Sequence, residues 1–331
     1  MMNDVALRCM PTAVWKEDDV IGTDKVKAMV AILRTKGCWW AFQKGCTMCG
    51  YNVESDQGIT TEDLRAQLAS VKGKYSGEPM VKIYTSGSFL DEREIPSELR
   101  LEILESFPQA QKIIFETRPE FVTDEALESL PKGKALVALG LESADDEVLR
   151  RSIRKGFTVA DYVKAAETLR RHAIPVRTYL LLKPPFMTEA RAIRDTSAAI
   201  EFARQYSESI SINPVNVQSG TIIEDMWRRG DYRSPWIWSL VEVLKAGWKE
   251  GGPRVFSSPS GAGTLRGVHN CDKCDRKVLD AVQRFSFEQD PQHLDGLECG
   301  CRDEWKMLLQ VQDVMATTVD LSRHLEDEIL L

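Results

Sequence analysis

Eight cysteines divide into a lone Cys9, a group of three (Cys38, Cys46, Cys49) and a group of four (Cys271, Cys274, Cys299, Cys301). In a cytosolic chain, clustered thiols more often hold metal than form disulfides, because the compartment keeps them reduced. The triplet lies in one stretch, Cys38-Trp-Trp-Ala-Phe-Gln-Lys-Gly-Cys46-Thr-Met-Cys49. A [4Fe–4S] cluster is usually held by four thiolates, so a three-thiol loop leaves one iron open to chelate a substrate or cofactor. Tetrahedral zinc would seek a fourth side chain, and none lies nearby in sequence. Two other readings stay open: three buried small apolar residues, or a zinc loop whose fourth ligand comes from elsewhere.

The quartet is two close pairs, Cys271-Asp-Lys-Cys274 and Cys299-Gly-Cys301, with 24 residues between them. Each pair can form half of a zinc tetrahedron and so fix a small domain with little core of its own. A second iron–sulfur cluster, or His269 in place of one thiol, is the alternative. Cys9 lacks a partner in sequence and is read as inert.

These groups need elements to place them. The chain has 331 residues, 43% hydrophobic and 28% charged, enough for a large core. Its net charge of -7 argues against a non-specific nucleic-acid binder, which draws affinity from surplus Lys and Arg. No stretch approaches the ~20 apolar residues of a membrane span, and Met1 to Asp19 contains no apolar signal region, so a cytoplasmic protein with no membrane partner is expected. Strand-like runs at Val30–Lys36, Met80–Thr85, Lys112–Thr117, Ala135–Leu141, Val176–Leu182 and Ser209–Val217 alternate with helical patterns at Thr61–Lys74, Ser97–Phe107, Thr158–His172 and Thr188–Tyr206. Six strands alternating with helices predict an α/β fold with a parallel sheet, a partial (β/α)6 TIM-like barrel. Cys38, Ser86-Gly87-Ser88, Glu116, Arg118, Glu142, Lys183 and Asn216 follow or end these runs, and in a parallel barrel such ends share one face. A soft boundary near Thr221 separates residues 1–220 from a helical, Cys-rich domain at 221–331 that ends in an amphipathic helix.

The three-cysteine loop after the first strand, with the six-strand pattern, resembles the radical SAM superfamily over roughly Val30 to Gly220. The segments Gly37-Cys38-Trp39-Trp40, Gly45-Cys46-Thr47-Met48-Cys49-Gly50-Tyr51, Tyr84-Thr85-Ser86-Gly87-Ser88-Phe89, Glu116-Thr117-Arg118-Pro119-Glu120 and Gly140-Leu141-Glu142-Ser143 are similar to the radical SAM lyases of archaeosine biosynthesis, distant relatives of the Elongator catalytic subunit. That resemblance runs through most of the chain. Two departures from the common superfamily pattern stand out. Seven residues separate Cys38 from Cys46 where CxxxCxxC is usual, and Met48 replaces the aromatic before the last cysteine.

The resemblance implies a radical SAM barrel carrying a cluster on Cys38, Cys46 and Cys49, with S-adenosylmethionine bound at the open iron. By the same analogy Met48 packs near the adenine, and Ser86, Gly87 and Ser88 stand where the family binds the methionine ammonium, although Gly-Gly-Glu is common there. Glu116 and Glu142 are candidates for the ribose hydroxyls or the ammonium. A strand-end Glu is also commonly solvated or paired, and Arg118 is a ready partner for Glu116. Arg177 can reach the methionine carboxylate or form a buried ion pair. The implied substrate is a tRNA whose position-15 deazaguanine carries a lysine, attached by the archaeosine synthase alpha subunit. Hydrogen abstraction from the lysine side chain would break its C–N bond and leave archaeosine, with an electron donor required.

For RNA contact the sequence offers Lys183, the basic runs Arg150–Lys155 and Arg170-Arg171, and Trp227 to Trp236, in which Arg228, Arg229 and Trp236 alternate charge with aromatic surface. Solvated helix faces and core tryptophans are the plain alternatives. Two rival functions remain: a radical SAM enzyme of another reaction type, such as methylthiolation or acyl addition on another tRNA base, and a non-catalytic metal-stapled scaffold that presents tRNA to its partner.

Overall fold

The chain enters its sheet by a hairpin that the charge pattern conceals. Strand β1 (Ala13–Ile21) pairs antiparallel with β2 (Asp24–Ile32). Asp18 lies opposite Lys27 and bonds both Lys27 (2.6 Å) and Lys25 (3.0 Å), exposed pairs that contribute about 0.2–1 kcal/mol each. Behind them Ala28, Met29, Val30 and Ala31 are wholly buried. The first expected strand, Val30–Lys36, is therefore displaced toward the N-terminus, and Leu33 to Cys38 lies beyond the end of β2.

This computed structural model describes residues 7–128, 130–131 and 133–316. The remaining strands are β3 (Met80–Tyr84), β4 (Lys112–Thr117), β5 (Ala135–Glu142), β6 (Val176–Leu182), β7 (Ser209–Pro214) and β8 (Arg254–Phe256). Their order in the sheet is their order in the chain, β1 to β8, with β2–β3, β3–β4, β4–β5 and β7–β8 parallel. The sheet thus holds eight strands where six are expected, because β1 is masked by its acidic run and β8 is three residues long. The fold is mixed α/β.

Two compact units are present. One takes the described residues up to Lys44, then Tyr51–Gly140 and Ala160–Arg177; the other takes Gly45–Gly50, Leu141–Val159 and the described residues from Thr178 onward. The cut at residue 221 follows motifs, not compactness, and remains a proposal.

In the first unit helix α1 (Thr61–Lys74) shows why the cysteine loop starts where it does. Thr60 and Asp63 form a reciprocal capping box, and Leu64, Leu68 and Val71 bury one stripe, each contributing about 1.5–3 kcal/mol. Gln67 is buried on the same stripe and grips Arg34 twice, accepting from its N–H and donating to its C=O, both at 2.9 Å. A side chain therefore replaces a strand partner just past β2. Helices α2 (Ser97–Glu105), α3 (Asp124–Glu128) and α4 (Val159–Arg171) follow.

Arg177 in β6 illustrates a buried charge with a structural partner. Its two terminal nitrogens lie 3.0 and 3.3 Å from the two oxygens of Asp19, which also meets Lys82. All three are under 7% exposed. Burial pushes the Asp19 carboxyl up, but the Arg177 and Lys82 charges outweigh it and hold it well below the usual carboxylate range. This stability is present above the unfolded value near ~3.9 and lost only as pH falls through the depressed folded one. Arg177→Met is expected to lower stability in urea by about 3 kcal/mol, since one buried partner is removed. Unchanged stability with lost S-adenosylmethionine binding would return Arg177 to the cofactor.

In the second unit α5 (Glu189–Ala203), α6 (Ile222–Arg229), α7 (Ile237–Gly247), α8 (Asp275–Glu288) and α9 (Cys301–Ala316) complete the order. Of the expected C-terminal helix, residues past 316 lie outside the described ones.

Candidate metal centres and cofactor site

Three strand ends of the first unit converge as parallel pairing requires. After β3 the chain turns through Ser86, Gly87 and Ser88; the Phe89 N–H bonds the Glu116 carbonyl at 2.8 Å, and the Arg118 N–H donates to the Ser88 hydroxyl at 3.0 Å. Ser86 donates to the Tyr51 carbonyl at 3.2 Å. A Cβ at Gly87 would lie 2.7 Å from Cys38 Cα and 2.8 Å from its Cβ, so only glycine permits this approach. Cys38 is fixed in turn by its N–H on Asn52 Oδ1 at 3.1 Å.

One carboxylate at this junction carries no signal in the sequence. Glu94 is 1% exposed, and it accepts from the Thr35 hydroxyl and from the Ser88 N–H, both at 2.6 Å. Burial raises its carboxyl to about 7 against the pull of Thr35 and Ser88. It sits in the run Asp91-Glu92-Arg93-Glu94, which reads as a solvated acidic turn.

The two tryptophans of the loop are packed rather than loose. Trp39 and Trp40 meet edge to face at 5.6 Å, Arg118 lies 5.8 Å from each ring, and Glu120 accepts from both Trp39 Nε1 and Arg118 Nε. Phe42 and Tyr51 are exposed.

The second unit holds Cys46 and Cys49. Thr47 between them is buried; its hydroxyl donates to the Ser152 carbonyl at 2.7 Å and its N–H to the Ile153 carbonyl at 3.0 Å. Those acceptors end a π-helical turn, Val148–Ile153, a rare geometry frequent at functional sites. Met48 packs against the apolar cluster of Val215, Val217, Ile223, Met226 and Tyr232. The Gly50 N–H donates to the Gln218 side chain.

Two expected contact residues adopt positive φ in this unit. Glu142 (φ 70°) bonds Lys155 at 2.6 Å, and Lys183 (φ 60°) bonds Glu189 at 2.6 Å. Left-handed backbone costs such residues about 1 kcal/mol each, strain that clusters at functional sites. Lys183 is nevertheless buried, with Nζ also donating to the Arg233 carbonyl at 2.9 Å. Substrate contact by Lys183 therefore meets a closed ion pair. Trp236 is likewise buried, with Arg233 stacked 4.0 Å from its ring centroid. Arg228 and Arg229 are exposed, each beside a carboxylate, Glu224 and Asp231.

The C-terminal quartet forms a site outright. Cys271 lies 3.6 Å from Cys274 and 3.7 Å from Cys299, and Cys274 lies 3.6 Å from Cys301. All four sulfurs fall within 4.8 Å of one another. A tetrahedral ion ~2.3 Å from each thiolate needs sulfur–sulfur edges of about 3.8 Å, so the spacing suits one zinc. A cubane would put each thiolate on a separate iron and spread them farther. Burial pushes the Cys274 thiol up to about 11, while the Cys301 N–H draws Cys299 down to about 7. Trp238 Nε1 donates to Cys301 Sγ at 3.3 Å, and Asp275 accepts the Asn270 and Cys271 N–H groups at 2.9 Å. Such outer contacts orient ligands and offset their charge. His269 Nδ1 donates to its own loop carbonyl, Gly267, at 2.9 Å rather than joining the quartet.

Residues 32–195 match the model of the Radical SAM superfamily. Over 315 residues the chain is 41% identical to archaeosine synthase subunit beta of Methanosarcina acetivorans, covering 92% of this chain and 91% of that one. The chain belongs to this family of radical SAM enzymes. The archaeosine synthase subunit beta of Thermococcus kodakarensis is 37% identical, covering 89% of this chain and 96% of its own length. Among solved structures, a queuine lyase from Clostridium spiroforme bound to SAM and queuine aligns at TM-score 0.47 and 18% identity, over 65% of this chain and 89% of that one.

Membership in the radical SAM family implies a 4Fe–4S cluster and S-adenosylmethionine. The residues present fit the cofactor in donor chemistry, for Cys38, Cys46 and Cys49 are half-buried thiols outside any disulfide, and Gly87 lets the Ser86–Ser88 turn close on Cys38 where a Cβ would clash. When bound, the pair supplies a 5'-deoxyadenosyl radical able to abstract hydrogen.

Proposed function

We propose that the chain catalyses the radical lyase step that converts the lysine-modified 7-deazaguanine at position 15 of tRNA to archaeosine, by cleaving the C–N bond of the lysine moiety. The observation that carries this reading is identity of 41% and 37% to archaeosine synthase beta subunits over about nine-tenths of this chain and of theirs. In this reading residues 1–220 form the radical SAM part and 221–331 the zinc-stapled part. Cys38, Cys46 and Cys49 hold the cluster. Ser86, Gly87 and Ser88 present backbone and hydroxyl groups to the methionine end, Glu116 and Glu142 face the ribose or ammonium, and Met48 lines the adenine side. The protein's remaining tasks are orientation and exclusion of water, which keep a reactive radical on its target.

The tRNA grip falls to exposed groups, since Lys183 and Trp236 are committed to the interior. Arg228 and Arg229 offer charge, and Phe42 and Tyr51 offer aromatic surface beside the cysteine loop. The lysine-transferring alpha subunit supplies the substrate, and a separate donor supplies the electron. Among the described residues no helix is long and apolar enough to cross a membrane.

The test is anaerobic incubation of the reduced protein with S-adenosylmethionine and lysine-bearing tRNA, followed by nucleoside mass analysis. Conversion of the lysine adduct to archaeosine, with 5'-deoxyadenosine formed, is the expected result. A methylthio or acyl mass gain on a different base, or an adduct that persists while S-adenosylmethionine is consumed, would refute the lyase assignment.

A further inference from the structure

The Glu94 carboxylate gathers groups from two strand ends. On one side the Gly37 N–H donates to the Thr35 hydroxyl at 3.1 Å, and that hydroxyl donates on to Glu94 Oε2 at 2.6 Å. On the other, the Gly87 N–H donates to the Thr85 hydroxyl at 3.3 Å, the Thr85 side chain bonds Glu94, and the Ser88 N–H reaches Oε1 directly at 2.6 Å. Two threonines thus relay two glycine N–H groups to one buried acceptor. Cys38 follows Gly37, and Gly87 touches Cys38. A buried carboxylate held by donors from two loops persists because it fixes their separation, and a purely apolar residue would leave the donors unsatisfied.

We infer that Glu94 is a positioning residue for the cofactor site, holding the first cluster cysteine against the Ser86–Ser88 turn through Thr35, Thr85 and Ser88. The inference rests on the assignment of Cys38 to the cluster but not on the identity of the tRNA substrate. Glu94 sets the distance between a ligand of the cluster and the turn assigned to the methionine end. Its loss should therefore weaken S-adenosylmethionine binding at the cluster before it alters the rest of the fold. Gln is the sharpest probe, because it keeps the shape and presents an N–H group to one of the donors.

The experiment uses the full chain, reconstituted without oxygen, as wild type, Cys38→Ala, Glu94→Gln, Thr35→Val and Thr35→Ser. Iron and zinc content are measured, and the spectrum of the dithionite-reduced cluster is titrated with S-adenosylmethionine. Glu94→Gln is expected to keep its zinc and to need roughly tenfold more S-adenosylmethionine for the spectral change, the effect of losing one hydrogen bond to a buried charged group. Thr35→Val should shift the titration the same way, Thr35→Ser should restore it, and Thr35→Val added to Glu94→Gln should cost little more. Should Glu94→Gln lose iron or fail to fold, the Thr35 pair decides: a shifted or iron-poor Val variant beside a normal Ser variant supports the proposal, and two equal variants overturn it. A folded Glu94→Gln with the wild-type titration and spectrum also overturns it. A Cys38→Ala protein that retains the wild-type cluster would instead sink the cluster assignment beneath it.

Discussion

Cys46→Ala is expected to remove S-adenosylmethionine cleavage, with 5'-deoxyadenosine formation falling by roughly three orders of magnitude or more, to the background of the assay. Of the three loop thiols, Cys46 is the best single test, because the backbone around it is held independently. The neighbouring Thr47 hangs from the π-turn by two hydrogen bonds, so removing one sulfur should leave the segment in place. Iron should fall with activity, while zinc and the thermal midpoint stay near wild type. A variant that retained full cleavage would mean that the triplet is not the ligand set, and that buried thiols explain the loop.

The second large effect concerns the other four cysteines. Cys274→Ala should reduce zinc from about one per chain to near none, because a three-thiolate remnant holds the ion poorly. Cys274 is the N-cap of α8, and Cys301 opens α9, so the ion ties the starts of two helices. Structural zinc in small peptides supplies about 10–16 kcal/mol, and some of that becomes local folding energy here. Amide exchange in Asp275–Glu288 and around Cys301 should therefore accelerate while β2 to β4 remain protected. Iron in the triplet should be unaffected. Loss of iron rather than zinc from the quartet, with the triplet iron kept, would show instead that the quartet holds a second cluster.

Much of this chemistry was legible because spacing exposes it. Two thiol pairs in a tetrahedral arrangement follow from Cys-x-x-Cys and Cys-x-Cys, and β4 and β6 fall where their apolar runs lie, Lys112–Thr117 and Val176–Leu182. Residues paired across the fold were harder to read. Strand β1 is hidden because its Glu17-Asp18-Asp19 run looks solvated, yet each acid meets a lysine or arginine from another strand. Lys183 and Trp236 looked available for RNA because sequence shows their type but not the Glu189 carboxylate and Arg233 guanidinium that enclose them. Glu94 is the clearest case. Nothing distinguishes it from Glu92 two residues earlier until the fold buries one at 1% and leaves the other's side chain 63% exposed.

A cluster on the three-thiol loop is expected to generate radical chemistry in this chain. Protein purified without oxygen should carry about four irons on the triplet and about one zinc on the quartet. Addition of dithionite and S-adenosylmethionine should then release 5'-deoxyadenosine and methionine. Zinc alone, with no cleavage after full cluster reconstitution, would contradict the account and leave a metal-stapled scaffold.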